Sequence, residues 1–191
     1  MNPVLLTRRL RLSDFSASNL PDLARMNADP EVMRYFPQKL NFEESAELLK
    51  RIMAHHQQNG YALFTLHLTE SDVFVGWCGL MVVPFEAHFT PAVEIGWRLN
   101  KIFWGKGLAT EAAEAVLRLG FVELGLSEIV SFTAELNQPS IRVMQKIGMQ
   151  SEPKDAFDHP KLPTNHPLQR HILYRLTKSL WLEQRECSKT P

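Results

Sequence analysis

Two glycines one residue apart, Gly105 and Gly107, lie between a strand-like segment and a strongly amphipathic helical segment. Glycine lets the backbone turn successive N–H groups toward one point, and the first turn of a helix adds unpaired N–H donors and a positive dipole end. This combination favours the binding of a phosphate or pyrophosphate group. The same spacing also fits a helix start that only needs flexible residues, so the spacing by itself leaves both interpretations open.

Two common nucleotide-binding motifs do not fit this segment. A P-loop places its lysine after the last glycine and follows it with Ser or Thr. Here Lys106 comes before Gly107, and no Ser or Thr follows this lysine. A dinucleotide fingerprint has three spaced glycines in the first βαβ unit, whereas this segment has two and lies past the middle of the chain. The segment therefore favours neither a P-loop nor a dinucleotide-binding motif.

The elements around the glycine pair predict an α/β domain. Residues 92–99 alternate in polarity, which predicts a strand with Glu94 on the face opposite Ile95 and Trp97. Residues 109–124 carry apolar side chains at helical spacing and are followed by Gly125. The other predicted strands cover 9–13, 61–68, 73–83, 129–134 and 171–176, and the other helices cover 19–26, 29–35, 41–59 and 137–148. We expect a long connection over 151–168, a frayed terminus from Trp181, and one mixed sheet.

The composition indicates one globular domain. The chain has 191 residues, of which 45% are apolar and 22% charged, and we place the domain at 7–177 with a C-terminal tail over 178–191. Its 21 basic and 21 acidic residues balance, so no general attraction to nucleic acid or an anionic membrane is expected. Cys78 and Cys187 lie in different settings and predict reduced thiols. With no signal-like or membrane-spanning segment, a soluble, cytoplasmic protein is expected.

The segment from Trp104 to Ala112 reads Trp-Gly-Lys-Gly-Leu-Ala-Thr-Glu-Ala and resembles the acyl-CoA pyrophosphate loop of the GNAT N-acetyltransferases. A Gln or Arg usually stands three residues before the first glycine of that pattern, and Ile102 takes its place here. Three further blocks resemble the subgroup that acetylates the N-termini of ribosomal proteins, the RimJ/RimL type: 7–12, 93–97 and 137–149. Four ordered blocks over about residues 7–176 are far more specific than one glycine loop.

This resemblance implies a mixed, splayed sheet with helices on both faces, and acetyl-CoA bound where two central strands part. It also implies that the strand around Ile95 and Trp97 binds the pantetheine arm through backbone groups, and that Asn137 and Ser140 flank the pantetheine and the thiol. The backbone N–H groups expected to hold the pyrophosphate belong to Trp104, Gly105, Lys106, Gly107, Leu108, Ala109 and Thr110. Acetyl-CoA is then the co-substrate, and no metal is expected.

Acetyl transfer requires a neutral amine, a polarised thioester carbonyl and a stabilised thiolate. Under the resemblance, Glu94 is the candidate general base, although an ordinary ion-pair role fits its position equally well. Ser140 lies in the first turn of its predicted helix, where its hydroxyl can cap the helix or donate to the sulfur. Many relatives use a tyrosine further along this helix. None is present here, so Ser140 is the candidate donor.

Several acidic and histidine side chains gather in the proline-rich segment over 151–168, namely Asp155, Asp158, His159 and His166. Their spacing is not that of a metal site, so we interpret the segment as a loop at the substrate mouth. The predicted activity is transfer of the acetyl group to a primary amine, of a protein N-terminus or a small molecule, by direct attack in a ternary complex. The alternative is a non-catalytic sensor of CoA or another phosphate ligand. A monomer or homodimer is expected, and the balanced charge argues against a polyamine substrate.

Overall fold

The computed structural model describes residues 5–187, which contain eight strands and five α-helices. The strands are β1 (Leu5–Leu6), β2 (Leu10–Asp14), β3 (Leu63–Leu68), β4 (Phe74–Val82), β5 (Val93–Leu99), β6 (Glu128–Ala134), β7 (Phe157–Asp158) and β8 (Arg170–Thr177). The helices are α1 (Leu20–Ala28), α2 (Phe42–Asn59), α3 (Leu108–Arg118), α4 (Gln138–Lys146) and α5 (Lys178–Cys187).

All eight strands belong to one mixed sheet, in the order β1-β2-β3-β4-β5-β6-β8-β7. The pairing of β5 with β6 is parallel, whereas β2 with β3, β3 with β4 and β6 with β8 are antiparallel. The predicted class, an α/β fold with a mixed sheet flanked by helices, is therefore confirmed.

One compact unit of the chain contains residues 5–81 and 96–116. Its core is built from apolar side chains of α1, α2, β3 and β4, among them Leu23, Ile52, Leu63 and Phe74. Local sequence accounts for the bounds of α2. The Asn41 side chain caps its N-terminus by accepting from the Glu44 N–H, and Gly60 ends it in the left-handed region with φ of 77°.

Arg98 of this unit is buried, although it lies on the polar side of the alternating pattern in β5. Its side chain donates from Nη1 to the Asn27 Oδ1 at 2.5 Å, and its guanidinium lies 3.9 Å from the centre of the Phe36 ring. Burial lowers the pKa of Arg98 to about 9. Period-two alternation therefore identifies the strand but not which of its faces is covered.

The other compact unit contains residues 82–95 and 117–187. Its apolar cluster comprises Val83, Phe89, Val130, Phe157 and Leu173. The antiparallel register of β6 and β8 aligns Phe132 with Leu173 and Ala134 with His171.

Two local predictions are wrong. Residues 30–35, expected to be a helix after Asp29, form turns, with one helical hydrogen bond from the Met33 N–H to the Asp29 carbonyl. Residues 181–187, expected to fray, belong to α5 because Trp181 is buried and packs on Phe121 with 5.3 Å between ring centres. Residues 188–191 of the predicted tail lie outside the described residues, and the boundary at 177 stays a prediction.

Over residues 5–187, no helix combines the length and the apolar character that crossing a bilayer requires.

Candidate functional site

The glycine loop, which we define as residues 104–107, is shaped by two left-handed backbone conformations. Gly105 has φ of 72° and Gly107 has φ of 75°, values that side chains disfavour. A Cβ atom at Gly105 would meet nothing within 4 Å, so backbone conformation rather than space calls for glycine there. Trp104, the first residue of the loop, is fixed by a hydrogen bond from its Nε1 to the Leu99 carbonyl at 2.8 Å.

The loop leads directly into the N-terminus of α3. The first helical hydrogen bond runs from the Glu111 N–H to the Gly107 carbonyl at 3.1 Å, and the N–H groups of Leu108, Ala109 and Thr110 precede it. Such first-turn N–H groups have no acceptor within their own helix and attract anions. The side chain of Leu108 is buried, so only its backbone is available to a ligand.

Arg9 holds this loop from an N-terminal segment that precedes it by about a hundred residues in the chain. Its Nη1 donates to the Lys106 carbonyl at 2.9 Å, and its Nε donates to the Glu111 carboxylate at 2.7 Å. In a trans peptide the carbonyl and the following N–H point in opposite directions. Because Arg9 binds the Lys106 carbonyl, the Gly107 N–H points away from Arg9 and takes no part in that contact.

Glu111 completes the clamp on the loop. Its carboxylate also accepts from the Thr7 hydroxyl at 2.6 Å and from the Arg9 backbone N–H at 2.8 Å. Burial by itself raises the pKa of Glu111, but the hydrogen bonds from Thr7 and Arg9 outweigh it and the net pKa is lowered. Sequence reasoning missed the role of Arg9 and Glu111, although both lie inside two of the blocks that carried the resemblance.

Lys106, a candidate phosphate partner, has an exposed side chain whose Nζ lies 5.6 Å from the centre of the Phe103 ring. An ammonium group at this position can reach a bound anion without leaving solvent.

Glu94 lies on β5 and is aligned with Val130 of β6 in the parallel pairing of these two strands. Its side chain is partly buried, and burial raises the pKa of Glu94 to about 8. A carboxyl group with a pKa near neutrality can exchange a proton with an amine at physiological pH. This property distinguishes Glu94 from an ordinary surface carboxylate.

The neighbouring β5 positions are placed differently. Ile95 is fully buried, and its carbonyl accepts from the Ser131 hydroxyl at 2.9 Å. Trp97 is partly buried.

Asn137 and Ser140 are in contact at the start of α4. The Asn137 Oδ1 accepts from the Ser140 N–H at 3.3 Å, which makes Asn137 the cap of this helix. The Asn137 Nδ2 donates to the Thr133 hydroxyl at 2.8 Å and to the Ser140 Oγ at 3.0 Å. Of the two roles considered for Ser140, capping is therefore wrong. Its oxygen accepts from Asn137, which leaves the hydroxyl hydrogen available for donation.

The segment over 151–168 is held by ion pairs. Asp155 accepts from Arg175 at 2.9 Å, and Asp158 pairs with Arg170 at 3.4 Å. Within the described part of the chain, no three His, Cys, Asp or Glu side chains are grouped as metal ligands would be.

The sequence is similar to known acetyltransferases. The family model for the Acetyltransferase (GNAT) domain matches residues 9–150. The chain is 32% identical to the Uncharacterized N-acetyltransferase YnaD of Bacillus subtilis, over 93% of this chain and 98% of that protein. It is 28% identical to the FsC-acetyl coenzyme A-N(2)-transacetylase of Aspergillus fumigatus, over 98% of this chain and 82% of that protein.

The fold is also similar to solved structures. An acetyltransferase (GNAT family) from Bacillus anthracis superimposes with a TM-score of 0.75 at 26% identity, covering 93% of this chain and 99% of that chain. The ribosomal-protein-S5-alanine acetyltransferase from Vibrio fischeri shares the fold with a TM-score of 0.75 at 16% identity, covering 94% and 99% of the two chains.

Proposed function

The chain belongs to the GNAT acetyltransferase family and is an acetyl-CoA-dependent N-acetyltransferase, and on this premise we propose that it acetylates a primary amine by direct attack in a ternary complex. The amine belongs to a protein N-terminus or to a small molecule. The observation that carries the proposal is Glu94, a partly buried carboxyl group whose pKa is raised to about 8.

In the proposed reaction, the amine nitrogen attacks the thioester carbonyl carbon, a C–N bond forms and the C–S bond breaks. Glu94 takes a proton from the amine, directly or through a water. The Ser140 hydroxyl donates to the sulfur as the thiolate leaves. Because the Asn137 amide donates to the Ser140 oxygen, the hydroxyl hydrogen is directed away from Asn137.

We assign acetyl-CoA binding to the glycine loop and the first turn of α3 for the pyrophosphate, and to the backbone near Ile95 and Trp97 for the pantetheine arm. The left-handed glycines and the unpaired N–H groups at the start of α3 support the first assignment. The Asn137 side chain is engaged with Thr133 and Ser140, so we give it the role of holding Ser140 rather than contacting the ligand through its amide.

The RimJ/RimL-type subgroup is the proposed place of this chain within the family. The segment from Trp104 to Ala112 and the three other blocks that resemble this subgroup support the proposal. Peptides with free N-termini therefore belong among the first acceptors to be assayed, beside small amines.

Time-resolved release of free thiol from acetyl-CoA, with and without a panel of amines and peptides, tests the proposed function. An N-acetyltransferase releases thiol at a rate that depends on the amine and forms the acetylated amine in equal amount. A non-catalytic sensor would bind CoA and show no amine-dependent release, and that result would contradict the proposal.

Ser140→Ala should lower turnover at saturating acetyl-CoA about tenfold. A thiol has a pKa near 8.5, so its thiolate is an acceptable leaving group even without protonation. The loss of turnover should therefore stay below the general-acid maximum of about ten-thousandfold. The melting temperature should change little, because Asn137 and not Ser140 caps α4. Asn137→Ala removes that cap and should by comparison lose about 1 kcal/mol of stability. Unchanged turnover in Ser140→Ala would exclude its role as donor.

Arg9→Met should weaken acetyl-CoA binding about tenfold, because the Lys106–Gly107 peptide loses the contact that fixes its orientation. Calorimetric titration measures the affinity. The control is Arg11→Met, which removes a cation two residues along the chain that pairs with Asp72 and not with the loop. Exposed ion pairs of that kind contribute about 1 kcal/mol or less. Equal affinities in both variants would mean that Arg9 does not position the loop.

A further inference from the structure

Glu94 shares a face of the sheet with an aromatic surface. Side chains alternate along a strand, and directly aligned residues of paired strands lie on the same face. The alignment of Glu94 with Val130 therefore puts both on the face that also carries Phe132, two residues further along β6. The alignments of Phe132 with Leu173, Ala134 with His171 and Phe157 with His171 continue this face across β8 and β7.

Several rings pack together on this face, among them His88 against Phe89 at 5.3 Å. We call six of them the aromatic–histidine cluster: Phe85, Phe89, Phe132, Phe157, His159 and His171. The Phe132 ring centre lies 5.6 Å from that of Phe85 and 5.5 Å from that of Phe157. The two imidazoles lie 4.8 Å apart, and His159 is 4.9 Å from Phe85. These separations are those of packed aromatic pairs.

The cluster has a buried base and an accessible rim. Phe89, Phe157 and His171 are buried. Phe85, Phe132 and His159 are only partly buried. Part of the aromatic surface on the face that carries Glu94 is thus exposed to solvent.

The charges around the cluster are unsuited to a polycation. Burial, and then the proximity of His171 and Lys161, lower the pKa of His159 to about 4, and burial also lowers the pKa of His171, which favours the neutral form of both imidazoles. The Lys161 ammonium lies 6.0 Å from the centre of the Phe85 ring. Asp155 and Asp158 are paired with Arg175 and Arg170, so these two carboxylates are already engaged by cations of the chain.

From this juxtaposition we infer that the acceptor is a monoamine whose primary amine group is close to an aromatic or bulky apolar group. In the bound acceptor, the apolar group contacts Phe85 and Phe132, and the amine contacts Glu94. The inference rests on the proposed acetyl transfer and names its substrate class. A small free amine and a peptide with an apolar first residue share this chemistry, so both belong in the test.

The test compares kcat/KM within matched pairs of acceptors. One pair is 2-phenylethylamine and ethylamine, the other is a peptide beginning with Phe and the same peptide beginning with Gly, and spermidine represents the polycations. The aromatic member of at least one pair should be preferred about tenfold or more, because burying a side chain of this size against apolar surface is favourable by that factor. The pair that shows the preference identifies the source of the acceptor.

Variants of Phe132 connect that preference to the cluster. Phe132→Ala should remove most of the preference while the KM for acetyl-CoA stays unchanged. Phe132→Leu keeps apolar bulk if the alanine variant folds poorly, and should remove only part of it. The control is Phe42→Ala, which truncates a phenylalanine of α2 that is 54% exposed.

The inference would be overturned, with the proposed acetyl transfer left intact, if neither aromatic acceptor were preferred over its matched partner, or if spermidine were used better than both aromatic acceptors. A preference that survives in both Phe132 variants would also overturn it. Binding of acetyl-CoA without transfer to any acceptor would instead contradict the proposed function and the inference together.

Discussion

Replacing Glu94 with glutamine should lower turnover of the acceptor amine about a hundredfold and leave acetyl-CoA affinity unchanged. The amide keeps the size of the side chain but cannot take a proton from the attacking amine. Glu135→Gln is the matched control, because it removes one exposed carboxylate that follows β6. Turnover within about twofold of wild type would exclude a base of this strength and make the Glu94 carboxyl structural.

The pH profile should separate a base from a structural carboxyl group. Because the pKa of Glu94 is raised to about 8, this group gains its charge, and its activity as a base, as the pH rises through that value. Ionisation of the amine substrate itself affects wild type and Glu94→Gln equally and cancels in the ratio of their turnover. The ratio of wild-type to Glu94→Gln turnover should therefore rise through about pH 8, whereas a constant ratio would contradict the assignment.

The stability of the folded protein should decrease over the pH range in which the activity of Glu94 as a base increases. A carboxyl group whose pKa is higher in the folded state than the unfolded value of about 4.3 disfavours folding once the unfolded chain ionises. This loss begins as the pH rises past the unfolded pKa and is complete above the folded one. From about pH 5 to about pH 9, the melting temperature of wild type should therefore fall more than that of Glu94→Gln.

Gly107→Val should weaken acetyl-CoA binding about a hundredfold or more. The left-handed conformation at Gly107 aims its N–H group, and a β-branched residue would leave that conformation. Hydrogen bonds to charged groups contribute about 1.5–3 kcal/mol each, and the rearranged loop should lose at least one or two of them. Titration calorimetry with the folded variant measures the loss.

Gly60→Val is the matched control for this substitution. Gly60 has φ of 77°, and a Cβ atom there would meet nothing within 4 Å, so the backbone strain is similar while the residue lies at the end of α2. Both variants should lose about 1–2 kcal/mol of stability. Only Gly107→Val should lose affinity. Unchanged acetyl-CoA affinity in the folded Gly107→Val protein would refute the assignment of the pyrophosphate loop.

Local sequence patterns determined most of the elements and the parts of the candidate site that depend on backbone conformation. The alternation over 93–99 and the helical spacing over 108–118 both match the structure. Gly60, Gly105 and Gly107 adopt left-handed conformations, which are the reason for glycine at each position. These features follow from interactions within a few residues, which a sequence displays directly.

The resemblance placed Glu94 and Ser140 as candidates, and the tertiary structure adds the contacts and the burial on which their proposed roles depend. The Asn137 Oδ1 caps α4 by accepting from the Ser140 N–H, and the Asn137 Nδ2 donates to the Ser140 Oγ, a contact that does not use the hydroxyl hydrogen. The pKa of Glu94 depends on how completely neighbouring chain segments remove water from its carboxyl group. Strand alternation could not give that information, because the covering groups come from elsewhere in the chain.

The sequence by itself thus determined six of the eight strands, the helices with clear caps and the glycine loop, since capping and periodicity are local. Only the tertiary structure decided the clamp of Arg9 on Lys106 and Glu111, the burial of Arg98 against Phe36, and the folding of α5 through Trp181. Each of these contacts joins residues that are tens of positions apart or more. Their free energy comes from burial and charge pairing across the folded chain, which no local pattern of residue types encodes.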